Sequence, residues 1–325
     1  MGLGSDRFGS DRPENVWRLE VRTGWIVGLA LTVVCIAVMV GLIVWALVSP
    51  LSIWVFLMLV GACLALGLAF RIVYQLWGLV NASYELDRNA LTIHWGPVEH
   101  QIPMGSIREV IAGTRLRDLH IRPSLRWPGY NVALGRALVA SGGEDGPTTE
   151  STLDPIVFYA SGGPKRQVVL RTEAVAYAIS PANLEDFLVA LRERLEMGPT
   201  QEVEERATHP KFLDWQIWQD RWALGTLMIG FGLLILLTGI LCWRFPYLPP
   251  EVVLRVSAAG EPLLIAGAAR IFYVVAVGAA FAVLNTALGF VLYHRQRPIA
   301  YFLWSGLVAI MASLWVAVIS ILLMQ

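Results

Sequence analysis

Charge is scarce in this chain. Asp, Glu, Lys and Arg make up 15% of its 325 residues, and 25 bases balance 25 acids, so the formal net charge is zero. Without a surplus of positive charge there is no global pull toward nucleic acid. Lysine is nearly missing: Lys165 and Lys211 are the two, and arginine carries the remaining positive charge. Cysteine is rare as well. Cys35, Cys63 and Cys242 all fall inside apolar runs and read as small hydrophobes, so neither a disulfide framework nor a metal spacing follows. Catalytic signatures are missing too. No His-x-x-x-His, Gly-x-Ser-x-Gly or paired-carboxylate motif appears, and His94, His100, His120, His209 and His294 are scattered. The Gly142-Gly143-Glu144-Asp145-Gly146 stretch is not followed by Lys and a helix, which excludes a phosphate-binding loop and leaves a flexible one. These absences point away from an enzyme and from any cofactor or metal.

What the chain has instead is apolar length. Hydrophobic residues make up 56% of it, too many for a soluble globular protein. Gly24 to Val48 carries no charge and exceeds the roughly 20 residues that span a bilayer, whereas the apolar core of a signal peptide is about 7–15 residues. A second span runs from Leu51 to Phe70 after the Ser49-Pro50 turn, and Arg71, Tyr74 and Trp77 mark its exit. Three more follow: Ala223–Trp243, Ala268–Tyr293 and Tyr301–Met324. Before the third, Trp215, Trp218 and Trp222 recur at helical spacing and predict an interfacial helix that anchors the chain at the membrane surface. Within the spans, Asn285 and Thr286 form the notable polar pair, which an interhelical hydrogen bond would explain. Gly61/Ala65 and Gly278/Ala282 have the small-xxx-small spacing of packed helices.

The short loops set the expected orientation. Arg7, Arg12, Arg18 and Arg22 precede the first span, and Arg295 and Arg297 lie between the last two. The Ser49 turn has none, and the 244–267 loop offsets Arg244 and Arg255 with Glu251 and Glu261. The positive-inside rule therefore puts the N-terminus in the cytoplasm and the C-terminus outside a bacterial plasma membrane.

Between the two membrane blocks lies a polar region. Tyr84 and Leu86 alternate with polar residues, Asp87-Arg88-Asn89 turns, and Leu91, Ile93 and Trp95 alternate again, the pattern of a β-hairpin with one buried face. The region closes with a helix whose Leu184, Phe187, Leu188, Leu191 and Leu195 form one face. Ser180 is its expected N-cap, Pro181 its first residue, and Gly198-Pro199 its stop.

The ordered set Tyr84-x-Leu86-Asp87-x-x-x-Leu91-Thr92-Ile93-x-x-Gly96, Ile102-Pro103-Met104, Ile107-x-x-Val110, Trp127-Pro128-Gly129-Tyr130, Val168 to Thr172 and Tyr177-Ala-Ile-Ser-Pro181 resembles a bacterial pleckstrin-homology-like (PH-like) domain. The resemblance covers about a third of the chain and implies an α+β fold, a small β-sheet or barrel capped by a C-terminal helix. The Tyr247–Pro262 loop more weakly resembles the external loop of a membrane domain related to sporulation-delay immunity proteins. That domain usually has His, Asn and Asp where this chain has Arg255, Ser257 and Leu263. The expected organisation is a polar tail (1–23), a two-span hairpin (24–80), a cytoplasmic PH-like domain (81–198), a linker with interfacial helix (199–221) and a three-span module (222–325).

Three surfaces of that domain invite a functional reading. The first hairpin turn offers Arg88 alone, too little to match a multiply charged inositol phosphate. Arg115, Arg117, His120, Arg122 and Arg126 form a basic segment, expected to be irregular, which contacts anionic lipid non-specifically, stays a solvated loop, or pairs locally with Glu109 and Glu144. Trp127 and Tyr130 flank a Pro-Gly turn and suit either a partner contact or packing over the sheet. The reading is a non-enzymatic scaffold or regulatory protein that binds a protein partner at the cytoplasmic membrane face, by strand addition or through aromatics. The alternative is a sensing, immunity or transport component that uses the last three spans.

Overall fold

A computed structural model describes residues 15–122, 124–141, 149–201, 203–208, 216–256 and 262–323. The chain divides into two compact units, Met1–Cys35 with Leu68–Pro210 and Ile36–Gly67 with Lys211–Gln325. The fold is α+β, with a curled β half-barrel in the PH-like region.

In the first unit, β1 (Val16–Arg18) precedes α1 (Arg22–Val48) and α2 (Ile53–Val80), helices that continue into the second unit. The strands follow: β2 (Ser83–Leu86), β3 (Ala90–Trp95), β4 (Val98–Pro103), β5 (Glu109–Ala112), β6 (Leu116–Ile121), β7 (Asn131–Ser141), β8 (Thr149–Ala160), β9 (Val168–Arg171) and β10 (Ala176–Ile179). Helix α3 (Leu184–Met197) and β11 (Arg206–Thr208) close the unit.

One sheet has the order β1-β2-β3-β4-β11 and pairs antiparallel throughout. The alternation read from the sequence sets its register: Tyr84 pairs with Ile93 and Leu86 with Leu91, all four fully buried. The Asp87–Asn89 turn closes through the Asp87 amide on the Ala90 carbonyl at 2.9 Å. The sheet reaches beyond 81–198, because β1 comes from the expected tail and β11 from the expected linker.

The second sheet has the order β5-β9-β10-β8-β7-β6, antiparallel except where β10 lies parallel to β8. All four residues of β10 are buried, since the sheet is covered on both faces. Val168, Leu170, Tyr177 and Ile179 face the core shared with α3, while Val169, Ala176 and Ala178 join Ile111, Ile156 and Phe158 on the other side. Leu116 and Ile121 of the far edge pack on that second cluster, which is how the sheet curls.

Helix α3 buries Phe187 and Leu191, with Leu184, Leu188 and Leu195 packed beside them. It starts later than expected, with Asn183 as N-cap. The Ser180 hydroxyl is used elsewhere: it accepts from the amides of Ser161 (2.7 Å) and Gly162 (3.1 Å), while Pro181 bridges to Leu19. Gly198, at φ 67°, ends the helix as expected.

Among the described residues, five helical segments are long and apolar enough to cross a membrane: Arg22–Val48, Ile53–Val80, Arg221–Tyr247, Ala268–Tyr293 and Arg297–Leu323. In the second unit, α4 (Arg221–Arg244), α5 (Phe272–Tyr293) and α6 (Arg297–Leu323) pack together, and β12 (Glu251–Val256) with β13 (Pro262–Gly267) forms a hairpin between α4 and α5. The expected interfacial helix is corrected. Gln216–Trp218 is a 3-10 turn, and the Asp220 carboxylate starts α4 by accepting from the Trp222 and Ala223 amides, both at 3.1 Å. A side chain that caps a new helix ends whatever precedes it, so the Trp218/Trp222 spacing straddles a boundary. The expected Asn285/Thr286 hydrogen bond is also absent at Thr286, whose hydroxyl is buried without a partner among the described residues.

Candidate functional site

The two edges of the six-stranded sheet differ in what lies beside them. Strand β5 pairs only with β9 among the described residues, through Glu109↔Arg171 to Ala112↔Val168. Beside this edge pair lies a groove of about 310 Å³, with β5 residues and Gln167 and Val168 on one wall and α3 on the other. Leu184, Leu188 and Arg192 line it at four-residue spacing, one stripe of the helix. Val110, 39% exposed, supplies apolar surface on the strand side. Arg115, Lys165 and Arg192 stand around the opening, and among the described residues none is in an ion pair. One end is closed by two 3-10 turns, Gly113–Arg115 and Pro164–Arg166. They approach so closely that a Cβ on Gly113 would lie 2.7 Å from the Pro164 carbonyl oxygen. Nearby acids are engaged: Glu109 pairs with Arg171 at 3.5 Å, and Glu173 with Arg108. The hydrogen bond from Arg108 and its charge hold the Glu173 carboxyl below its ordinary range.

At the other edge, the basic segment expected to be irregular is largely strand β6. Arg117 and His120 belong to it, with Arg115 just before and Arg122 just after. Asp118, at φ 45°, marks an irregularity where Arg117 pairs with Leu138 but His120 pairs with Arg136. Arg115, Arg117, Arg122 and Arg126 are exposed and form no ion pair among the described residues. The expected partner Glu109 is taken by Arg171, and Glu144 lies outside the described residues.

Trp127 and Tyr130 are corrected as contact residues. They are 6% and 3% exposed, with rings stacked 4.4 Å apart. The Trp127 indole N–H donates to the Gly24 carbonyl at 2.8 Å, so the Pro-Gly turn holds the first turn of α1. From Tyr130 the rings continue through Trp95, Tyr159 and His100 to Tyr177, each 5.2–6.0 Å from the next. Burial pushes the Tyr130 and Tyr159 phenols up to about 12. It raises Tyr177 too, helped by the Glu205 carboxylate that accepts a hydrogen bond from its hydroxyl at 2.7 Å. Tyr84 donates to the Tyr159 carbonyl at 2.5 Å and accepts from the Ser180 amide at 3.1 Å. These phenols stay protonated at neutral pH and serve packing.

Arg88 donates to the Gly198 carbonyl at the end of α3 (3.3 Å). Trp222 is 81% exposed and Trp218 48%, while Trp215 lies outside the described residues. Among the described residues no three His, Cys, Asp or Glu gather as a metal site requires. Lys165, Arg192 and Arg136 carry no site signal in the sequence, and Arg136 meets His120 only through cross-strand register.

Residues 82–195 match the family model described as a bacterial PH domain. The match covers about a third of the chain and stops before the last three spans, whose likeness to the sporulation-delay immunity membrane domain is not shown. No curated protein and no solved structure matches the chain.

Proposed function

We propose that this chain is a non-enzymatic, membrane-anchored PH-like scaffold that holds an extended, acidic segment of a partner protein in the groove between β5 and α3. The observation that carries this reading is an edge strand beside a groove with an apolar wall and three cations that form no ion pair among the described residues. An added strand would take its affinity from backbone hydrogen bonds to β5 and its specificity from side chains set against Leu184 and Leu188. Acidic residues in that strand would meet Arg115, Lys165 and Arg192. The distribution of arginine over the short loops supports a cytoplasmic position for the domain.

Site-specific photo-crosslinking in native membranes tests the reading. A photoreactive side chain at Val110 is expected to trap a protein that one at Arg206, on β11, does not. Lys165→Glu with Arg192→Glu should cut that adduct about tenfold by placing like charges against the partner. Equal adducts at Val110 and Arg206, or an adduct indifferent to the charge reversal, would sink the proposal.

A further inference from the structure

The β6 edge carries a second, independent site. A cleft of about 510 Å³ is lined by His120, Ile121, Arg122, Leu134, Gly135, Arg136 and Pro155. His120 stands directly opposite Arg136 in the β6–β7 register, and the Arg122 amide donates to the Leu134 carbonyl at 2.8 Å. Partners two residues apart on paired strands share a face, so His120, Arg122 and Arg136 line one surface around Leu134, which is 43% exposed. The strands close tightly beneath it, since a Cβ on Gly135 would lie 2.9 Å from the His120 carbonyl oxygen. Pro155 is accommodated in β8 because the pairing with β7 shifts register there, between Gly135↔Ile156 and Ala137↔Leu153. Neither arginine has an ion-pair partner among the described residues. Two unpaired guanidiniums beside exposed leucine suit an oxyanion attached to something apolar.

The position of the cleft says which oxyanion. Helix α2 has 28 residues, about 42 Å at 1.5 Å per residue, against a hydrocarbon core of about 30 Å. One end therefore emerges, and the exposed Arg71, Tyr74 and Trp77 of the last turns mark it as the end at headgroup level. There Gln75 donates to the Leu125 carbonyl at 3.4 Å, and Leu76 and Trp127 both crowd Gly28 of α1. Leu125 and Trp127 are thus pinned to these helices. Arg122 lies three residues before Leu125, no more than about 11 Å away along extended chain. We infer that Arg122 and Arg136, with His120, form a binding site for the headgroup phosphate of an anionic phospholipid.

The test uses the full-length protein in detergent, titrated with phosphatidylglycerol or phosphatidylcholine of the same chain length and read by native mass spectrometry. The wild type should retain phosphatidylglycerol in preference. Arg122→Gln with Arg136→Gln should weaken phosphatidylglycerol roughly 30-fold, the equivalent of about 1 kcal/mol for each charge near the membrane. Phosphatidylcholine binding should not change. The charge-keeping pair Arg122→Lys with Arg136→Lys should retain most of the affinity, which separates lost charge from lost fold. Lys165→Gln with Arg192→Gln, in the other groove, should have no effect. Unchanged phosphatidylglycerol affinity in the glutamine pair would overturn the inference, as would equal affinity of the wild type for the two lipids. Displacement of the lipid by glycerol 3-phosphate at matched concentration would also overturn it and make the site one for soluble phosphate esters.

Discussion

Each unit of the chain joins apolar helices to polar structure, and the two joints are built differently. In the first unit α1 is held by glycine and a tryptophan that hydrogen-bonds. A Cβ on Gly24 would lie 2.2 Å from the Gly129 carbonyl oxygen, and one on Gly28 would lie 2.5 Å from Leu76. Trp127 adds its bond to the Gly24 carbonyl. In the second unit one carboxylate gathers three helices. Asp220 caps α4 and also accepts from the hydroxyls of Tyr293 (2.8 Å), at the end of α5, and Tyr301, near the start of α6. Its tryptophan counterpart, Trp304, packs on Gly289 with an indole N–H that has no partner among the described residues. The first joint depends on backbone approach, where there is no room to give. The second depends on charge, which pH and a single substitution can remove.

If that contrast is right, Gly24→Val should be the most damaging small substitution in either joint. The nearest atoms in the clash, the Gly129 carbonyl oxygen and carbon, are backbone and cannot swing aside as the Leu79 side chain could, so a loss of about 3 kcal/mol is expected. Thermal unfolding of the purified protein checks it against Gly41→Val, where nothing lies within 4 Å of the added Cβ. Equal Tm values for the two variants would break the comparison.

Asp220→Ala should cost somewhat less, about 2 kcal/mol, for a lost cap and two tyrosine hydroxyls left without their acceptor. This joint should also respond to acid. Burial pushes the Asp220 carboxyl upward, but the hydrogen bonds from Tyr301, the Ala223 amide, Tyr293 and the Trp222 amide outweigh it, and the pKa ends below the ordinary value. A depressed carboxylate contributes stability that is fully present above its unfolded pKa of about 4 and is lost as pH falls through the folded value. The difference in Tm between wild type and Asp220→Ala should therefore shrink as pH falls below about 4. A constant difference down to the most acidic pH at which the protein stays folded would show that the carboxylate charge contributes nothing.

The two joints were also unequally legible in the sequence. Gly24-x-x-x-Gly28 carries the same small-residue spacing noted at Gly278/Ala282, so the α1 contact could have been read, but its partner Trp127 is about a hundred residues away. Asp220 gave no local signal beyond a polar residue before an apolar run, because its tyrosine donors follow 73 and 81 residues later. The hairpin of β2 and β3 was legible because period-2 alternation and a three-residue turn are both local. The start of α3 was misread for the opposite reason. Ser180-Pro181 is a sound local cap signal, but the amides of Ser161 and Gly162 compete for that hydroxyl across the fold. Both candidate sites lie on this far side of the divide. Val110 and Leu188 come to line one groove, and His120 comes to stand opposite Arg136, only after elements distant in sequence have packed and paired.

The smallest expected effect isolates the hydrogen bond itself. Trp127→Phe and Trp304→Phe remove the same atoms from two buried indoles, so cavity costs of similar kind enter both. Only the first leaves an acceptor, the Gly24 carbonyl, without its donor. The net value of such a bond is about 1 kcal/mol, and Trp127→Phe should be more destabilising by that margin. The pair should be measured with Gly24 intact and again in Gly24→Ala, whose shifted backbone already weakens the bond. In that background the margin should close. A margin that persists there would mean that the Trp127 ring, stacked on Tyr130, holds the joint by packing alone.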